Sequence, residues 1–167
     1  LMGAQVRVEV MKVAAVYSYP AYDHYSATPA KFWSRPAWNG SVFCAIDMRQ
    51  STSNKTCITS PDGITWTSYN LPAIGGDSTN WFDIAASNSG TLIAIRFWNP
   101  TNVVYRSTDN GQNWSTSTLP SSAQPYKATW GNGTFVIVTV SSNKVFYSTN
   151  DGVSWTQSTI PHTPDYI

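Results

Sequence analysis

One short stretch occurs three times in this chain and limits the fold more than any other feature. Its clearest copy is Ser107-Thr-Asp109-Asn-Gly111-Gln-Asn-Trp114. A second is Ser148-Thr-Asn150-Asp-Gly152-Val-Ser-Trp155, with Asn150 at the Asp position. A looser third is Thr59-Ser-Pro61-Asp62-Gly63-Ile-Thr-Trp66, with Pro61 at that position. Glycine reaches positive φ without a Cβ clash and closes a tight turn. Asp or Asn before it accepts backbone N–H groups inside the loop, and a Ser or Thr hydroxyl does so more weakly. The Trp then opens the next strand with a large apolar surface to bury. A lone Asp-Asn-Gly means a hairpin; three copies that each keep the Trp mean a repeated unit.

The repeat extends beyond the turn. Three apolar strands precede the copies: Gly40-Ser-Val-Phe-Cys-Ala-Ile46, Gly90-Thr-Leu-Ile-Ala-Ile95 and Gly133-Thr-Phe-Val-Ile-Val138. A variable loop and a second strand follow each, then the turn, then a last strand. Trp66, Trp114 and Trp155 recur at intervals of roughly 40–50 residues, the length of a four-stranded propeller blade. The expected fold is therefore all-β, with three blades at about 32–72, 80–120 and 126–161 inside a region 32–167. Residues 1–31 read as an N-terminal segment, with a half-buried strand in 5–17 where Val6, Val8 and Val10 alternate with Arg7 and Glu9. Propellers typically have four to eight blades. Closure therefore requires further blades outside this sequence or assembly of chains, two chains of three making a plausible ring.

Ser107-x-Asp109-x-Gly111-x-x-Trp114 resembles the Asp-box, or bacterial neuraminidase repeat, and the other two copies resemble degenerate versions of it. Only these boxes are specific, although the blade pattern extends over 32–161. The resemblance implies a propeller in which the box joins the third and fourth strands. It gives Ser107, Asp109, Gly111, Trp114, Ser148, Asn150, Gly152, Trp155, Asp62, Gly63 and Trp66 structural roles. The repeat occurs in sialidases, other glycoside hydrolases, sortilin-like receptors, photosystem assembly factors and phage tail proteins, so it leaves function open.

The sialidase reading needs an arginine triad, a Tyr–Glu pair and an acid/base Asp. The arginines are Arg7, Arg35, Arg49, Arg96 and Arg106, none in the Phe/Tyr-Arg-Ile-Pro signature of that family, and the sole Glu is Glu9. Asp47, Asp77 and Asp83 are candidates for a carboxylate pair at the propeller mouth, but their spacing singles out none. His24 beside Asp23 points away from it in an extended segment. Asp62, Asp109 and Asp151 sit one to a turn, short of the oxygen count calcium needs, so no metal or cofactor is expected. Cys44 and Cys57 fall on neighbouring strands, nearly opposite by count about the 49–55 loop. Either buried free thiols or a cross-strand disulfide fits, their counterparts being Ala94 with Tyr105 and Ile137 with Phe146. The sequons at Asn39, Asn54, Asn113 and Asn132 read as turn residues.

Charged residues are 11% and the net charge is +1, which argues against a nucleic-acid partner; no segment is apolar for long enough to insert in a membrane. Aromatics are 14%, and Ser, Thr and Asn fill most polar positions. Loops joining second to third strands, and the linkers 70–80 and 119–126, share the face opposite the boxes. There Trp98, Arg96, Asn99, Trp81, Asn80 and Tyr126 form a candidate carbohydrate site, an indole stacking on a sugar face while Asn and Arg bind its hydroxyls. For Trp98 and Trp81 the alternative is packing between blades. The composition, with tandem repeats, resembles phage tail fibre or virion appendage proteins. The leading expectation is a non-enzymatic module on a virion or outside the cell, bound to cell-surface glycan, as a homo-oligomer or beside neighbouring virion proteins. The alternatives are a sialidase-type glycoside hydrolase fragment and a purely structural virion protein.

Overall fold

The computed structural model describes residues 31–48, 55–72, 80–97, 101–140 and 142–161. The strand expected in 5–17, with Glu9, Arg7, Asp23 and His24, lies outside them, as do Arg49, Asn54 and Asp77. Every strand pair described is antiparallel.

The first blade is a sheet of β1 (Ala37–Trp38), β2 (Phe43–Ile46), β3 (Thr56–Ser60) and β4 (Thr67–Asn70) in sequence order. The second has β5 (Asn80–Ala86), β6 (Leu92–Phe97), β7 (Thr101–Ser107) and the first half of β8 (Ser115–Gly131). The third takes the second half of β8, then β9 (Thr134–Val140), β10 (Lys144–Ser148) and β11 (Thr156–Thr159). The linker expected at 119–126 is thus a correction: β8 runs through it unbroken. Its outer half pairs with β7 as far as Thr101↔Ala123, and its inner half with β9 from Gln124↔Val140. Register shifts fall at both prolines: the four residues 119–122, Pro120 among them, stand opposite Asn102 alone, and Pro125 flanks the second shift.

The cores lie between blades. Cys44, Ile46 and Cys57 of the first blade pack with Trp81, Leu92, Ala94 and Tyr105 of the second. On the second blade's other face Ile93, Ile95 and Val104 pack with Phe135, Ile137 and Phe146 of the third. The second blade is therefore covered on both faces, which explains why Leu92-Ile93-Ala94-Ile95 is apolar without alternation. The outermost strand β11, Thr156–Thr159, is exposed throughout and wholly polar.

The three turns share one hydrogen-bond plan. Ser107 Oγ donates to Asp109 Oδ1 at 2.8 Å and accepts the Gly111 N–H at 3.0 Å; Asp109 Oδ1 also accepts the Asn113 N–H. Ser148 and Asn150 repeat this with Gly152 and Ser154. The first turn is one residue shorter than the frame beginning at Thr59 requires. Ser60 and Asp62, rather than Thr59 and Pro61, fill the two roles: Ser60 Oγ accepts the Gly63 N–H, and Asp62 Oδ1 accepts those of Ile64 and Thr65. The missing residue corresponds to Asn110 and Asp151, which precede their glycines at φ 60° and 55°.

The second and third turns each reach back to the preceding blade. Gly111 lies against Cys57, Thr59 and Cys44, and its carbonyl accepts the Cys57 thiol at 3.3 Å. Asn110 Oδ1 accepts from Asn39 Nδ2 at 2.8 Å. Gly152 lies on Ile93 and Arg106; Asp151 accepts from Arg106 Nε at its carbonyl and from Ser89 Oγ at its carboxylate. Trp155 is buried and donates to Ser117 Oγ of the second blade at 2.9 Å, while Trp114 is half-buried against the first core. Trp66 departs from this pattern at 40% exposure, because among the described residues no blade precedes the first.

A Cβ at Gly152 would sit 3.1 Å from Ile93 Cγ2 at φ 75°, whereas at Gly90, φ 95°, it would meet open space. Alanine at either position carries the left-handed penalty of about 1–2 kcal/mol. Gly152→Ala adds overpacking and should lose roughly 1–3 kcal/mol more than Gly90→Ala in urea denaturation. The N–H groups of Thr65 and Ile64, with the Ser60 hydroxyl, lower the Asp62 carboxyl from 3.8 to about 2. A depressed carboxyl contributes stability above its unfolded value and loses it as pH falls through the folded one. Stability should therefore drop between about pH 4 and pH 2, and Asp62→Asn should flatten part of that drop.

Candidate functional site

Phe82 lies in β5 between Trp81, opposite Arg96, and Asp83, opposite Ile95; it is the extra residue of a bulge. Tyr126 holds the same place in β8, between Pro125 opposite Thr139 and Lys127 opposite Val138. A bulge re-aims a side chain against the strand's alternation. The two re-aimed rings stack, with centroids 5.2 Å apart and planes at 30°. Phe97, the last residue of β6, joins them, 4.9 Å from Phe82 and 5.8 Å from Tyr126. Lys127 Nζ stands over both stacked rings, 4.8 Å from the Phe82 centroid and 5.5 Å from that of Tyr126. With Tyr126 39% exposed and Phe82 and Phe97 half-buried, this is a partly exposed aromatic platform with a cation over two of its rings.

Behind the platform Asp83 is buried, accepting the Ala128 N–H at 3.0 Å and lying 3.8 Å from Lys127 Nζ. It also lines a cavity of about 350 Å³ between the innermost strands of the three blades, with Arg35, Trp38, Ala86, Thr129 and Trp130. Indole surface, a guanidinium and a carboxylate thus meet in a concave space of small-ligand size.

The residues expected in the sugar site fare differently. Tyr126 is exposed and sits in the platform. Trp81 is a correction: it is fully buried, its ring 4.6 Å from Tyr105 in an edge contact, and has no face to offer a sugar. Arg96 is half-buried opposite Trp81; among the described residues neither Arg96 Nε nor Trp81 Nε1 has a hydrogen-bond partner. Trp98, Asn99 and the side chain of Asn80 lie outside the described residues. Sequence reasoning passed over Phe82, Phe97 and Lys127, and in the cavity Trp38 and Trp130. The adjacent pair Trp81-Phe82 was the available signal, since neighbours on a strand face opposite ways.

For acid/base chemistry the described carboxylates are mostly committed. Asp62 and Asp109 close their turns, Asp151 accepts from Ser89, and Asp83 holds Ala128 and Lys127. Burial pushes the Asp109 carboxyl up, but the backbone and side-chain amides of Asn113 and the Ser107 hydroxyl together hold it below its ordinary value. Among the described residues no three His, Cys, Asp or Glu side chains cluster closely enough to hold a metal. Cys44 and Cys57 are free and buried. They stand diagonally, Cys44 opposite Thr59 and Cys57 opposite Ile46, so their counterparts are Ile93 with Val104 and Val136 with Val145, one position from those expected. The hydrogen bond with Cys57, then burial, pushes the Cys44 thiol up from its ordinary value.

No protein-family model and no curated protein matches the chain. Solved structures do. The chain is similar to YCF48 bound to D1 peptide, at TM-score 0.56 and 16% identity, over 76% of this chain and 40% of that one. It is also similar to the GH74 enzyme of Niastella koreensis, at TM-score 0.51 and 24% identity, over 87% of this chain and 20% of that one. Both are β-propeller proteins, and the likeness is one of fold. The chain spans less than half the length of either.

Removing the Asp83 carboxylate leaves the Ala128 N–H without its acceptor and takes an ion-pair partner from the partly exposed Lys127. Asp83→Ala should cost about 1–3 kcal/mol in thermal or urea unfolding, and Asp83→Asn, which keeps an acceptor for Ala128, should cost less.

Proposed function

We propose that this chain is a non-enzymatic recognition module that binds carbohydrate on a host or cell surface. In this reading its repeats are of the Asp-box type and its setting is a viral tail fibre or appendage, on a virion or outside the cell. The observation that carries the reading is the platform of Phe82, Tyr126 and Phe97 with Lys127 over two of its rings. Sugars present flat C–H faces ringed by hydroxyls; an exposed ring takes the face, and neighbouring donors take the hydroxyls. Trp98 and Asn99 follow Phe97 directly in sequence. The low charge favours contacts of this neutral kind over attraction to a strongly ionic partner. For a glycoside hydrolase, by contrast, Asp83 would have to leave Lys127 and Ala128 to act as acid or base.

A glycan array tests the proposal. Wild type should give signal on defined sugars, and Tyr126→Ala should lower affinity about twofold to tenfold, the effect of roughly 0.5–1.5 kcal/mol of aromatic contact. Trp81→Phe, at a buried site, should leave the sugar preference unchanged. Unaltered signal in Tyr126→Ala would remove the platform from the site, and cleavage of a bound glycan would replace the proposal with the hydrolase reading.

A further inference from the structure

The box indoles and the arginine between the second and third blades each donate to a defined acceptor. Trp114 Nε1 gives to the Gly111 carbonyl at 3.0 Å, Trp155 Nε1 to Ser117 Oγ at 2.9 Å, and Arg106 Nε to the Asp151 carbonyl at 2.7 Å. Trp81 and Arg96 break this rule. Trp81 is fully buried and Arg96 half-buried, yet among the described residues neither Trp81 Nε1 nor Arg96 Nε has an acceptor. Buried donors left unpaired are costly and uncommon in native proteins.

The two orphans stand together. Trp81 of β5 is opposite Arg96 of β6, so both side chains leave the same face of the sheet, the one packed on the first blade. The Trp81 ring meets Tyr105 of β7 at 4.6 Å, and Tyr105 is opposite Ala94. The indole therefore crosses β6 over the small Ala94, which is the residue next to Arg96 on that strand face. Leu71 and Tyr69 of the first blade belong to the same cluster, so the surroundings are largely apolar. Asp83, Asp109 and Asp151 are engaged elsewhere, with Lys127, Asn113 and Ser89.

We propose that the seam between the first and second blades binds a small monovalent carboxylate, held by the Arg96 guanidinium and the indole N–H of Trp81. Donors without acceptors call for an anion, and the fork of a guanidinium matches the two oxygens of a carboxylate. The site carries a single positive charge, which one negative charge neutralises. Sulfate or phosphate would leave excess negative charge against Leu71 and Ala94. Chloride matches the charge but not the fork. Arg96 is only half-buried and its Nε is tied to no acceptor, so its side chain is free to turn onto an anion arriving from solvent. Phe97 follows Arg96 on β6 and faces the other way, so this site is separate from the aromatic platform and does not rest on the sugar reading.

The indole N–H signal of Trp81 in a proton–nitrogen correlation spectrum of the full chain reports on the site. It is identified as the signal lost in Trp81→Phe. Sodium acetate should move it saturably, sodium chloride at equal ionic strength should move it less, and sodium sulfate should leave it in place. Arg96→Gln should weaken acetate binding by about tenfold or more. Arg96→Lys, which keeps the charge and loses the fork, should weaken it by a smaller factor and carries the test if Arg96→Gln fails to fold. The Trp155 indole signal, from the other core, should hold its position in every folded variant. A wild type with no saturable acetate shift, or an acetate affinity unchanged in both Arg96 variants, would overturn the site. An equal response to chloride would overturn its assignment to carboxylate.

Discussion

The fold depends on how closely one backbone segment can approach a sheet that is not its own. At Gly111 and Gly152 the chain turns with positive φ while its Cα rests on the side chains of the preceding blade. Only glycine satisfies both demands, one conformational and one steric. The flanking polar groups then have defined partners across the gap, Asn110 with Asn39 and Asp151 with Ser89 and Arg106. A local turn thereby becomes a tertiary contact, and the angle between neighbouring sheets follows from it.

That contact also sorts the side chains. Positions beneath a turn are apolar and buried on both faces in the second blade, as at Leu92 and Ile93. Strands far from it, such as β11, are built from Thr, Gln and Ser and remain in water. The abundance of Ser and Thr is thus a property of outer strands and turns. Hydroxyls there serve edge strands and caps without burying charge, consistent with the low charged fraction.

The repeat was legible because its information is local: Ser, Asp or Asn, Gly and Trp within eight residues specify a turn whatever surrounds it. Its exact frame in the first blade was not, since Ser60 and Thr59 are interchangeable as hydroxyls and only the hydrogen bonds to Gly63 decide between them. The candidate site was harder still. Phe82 and Tyr126 sit at bulges, and a bulge shifts the side-chain phase of everything on one side of it. With that shift invisible, sequence reasoning selects Trp81 as a candidate and passes over Phe82, although Trp81 is fully buried and Phe82 only half-buried. Buried free thiols were foreseen as one of two arrangements, but the counterparts of Cys44 and Cys57 were one position off for a related reason: counting inward from a loop fixes strand register only when the loop conformation is known.

The unbroken course of Ser115–Gly131 through two sheets has a mechanical consequence. Tension applied along this strand loads the ladders to β7 and β9 lengthwise, so that many bonds must yield at once rather than one after another. The second and third blades are therefore coupled through one strand. A pull that frays the polar outer strand β11 need not propagate inward past it.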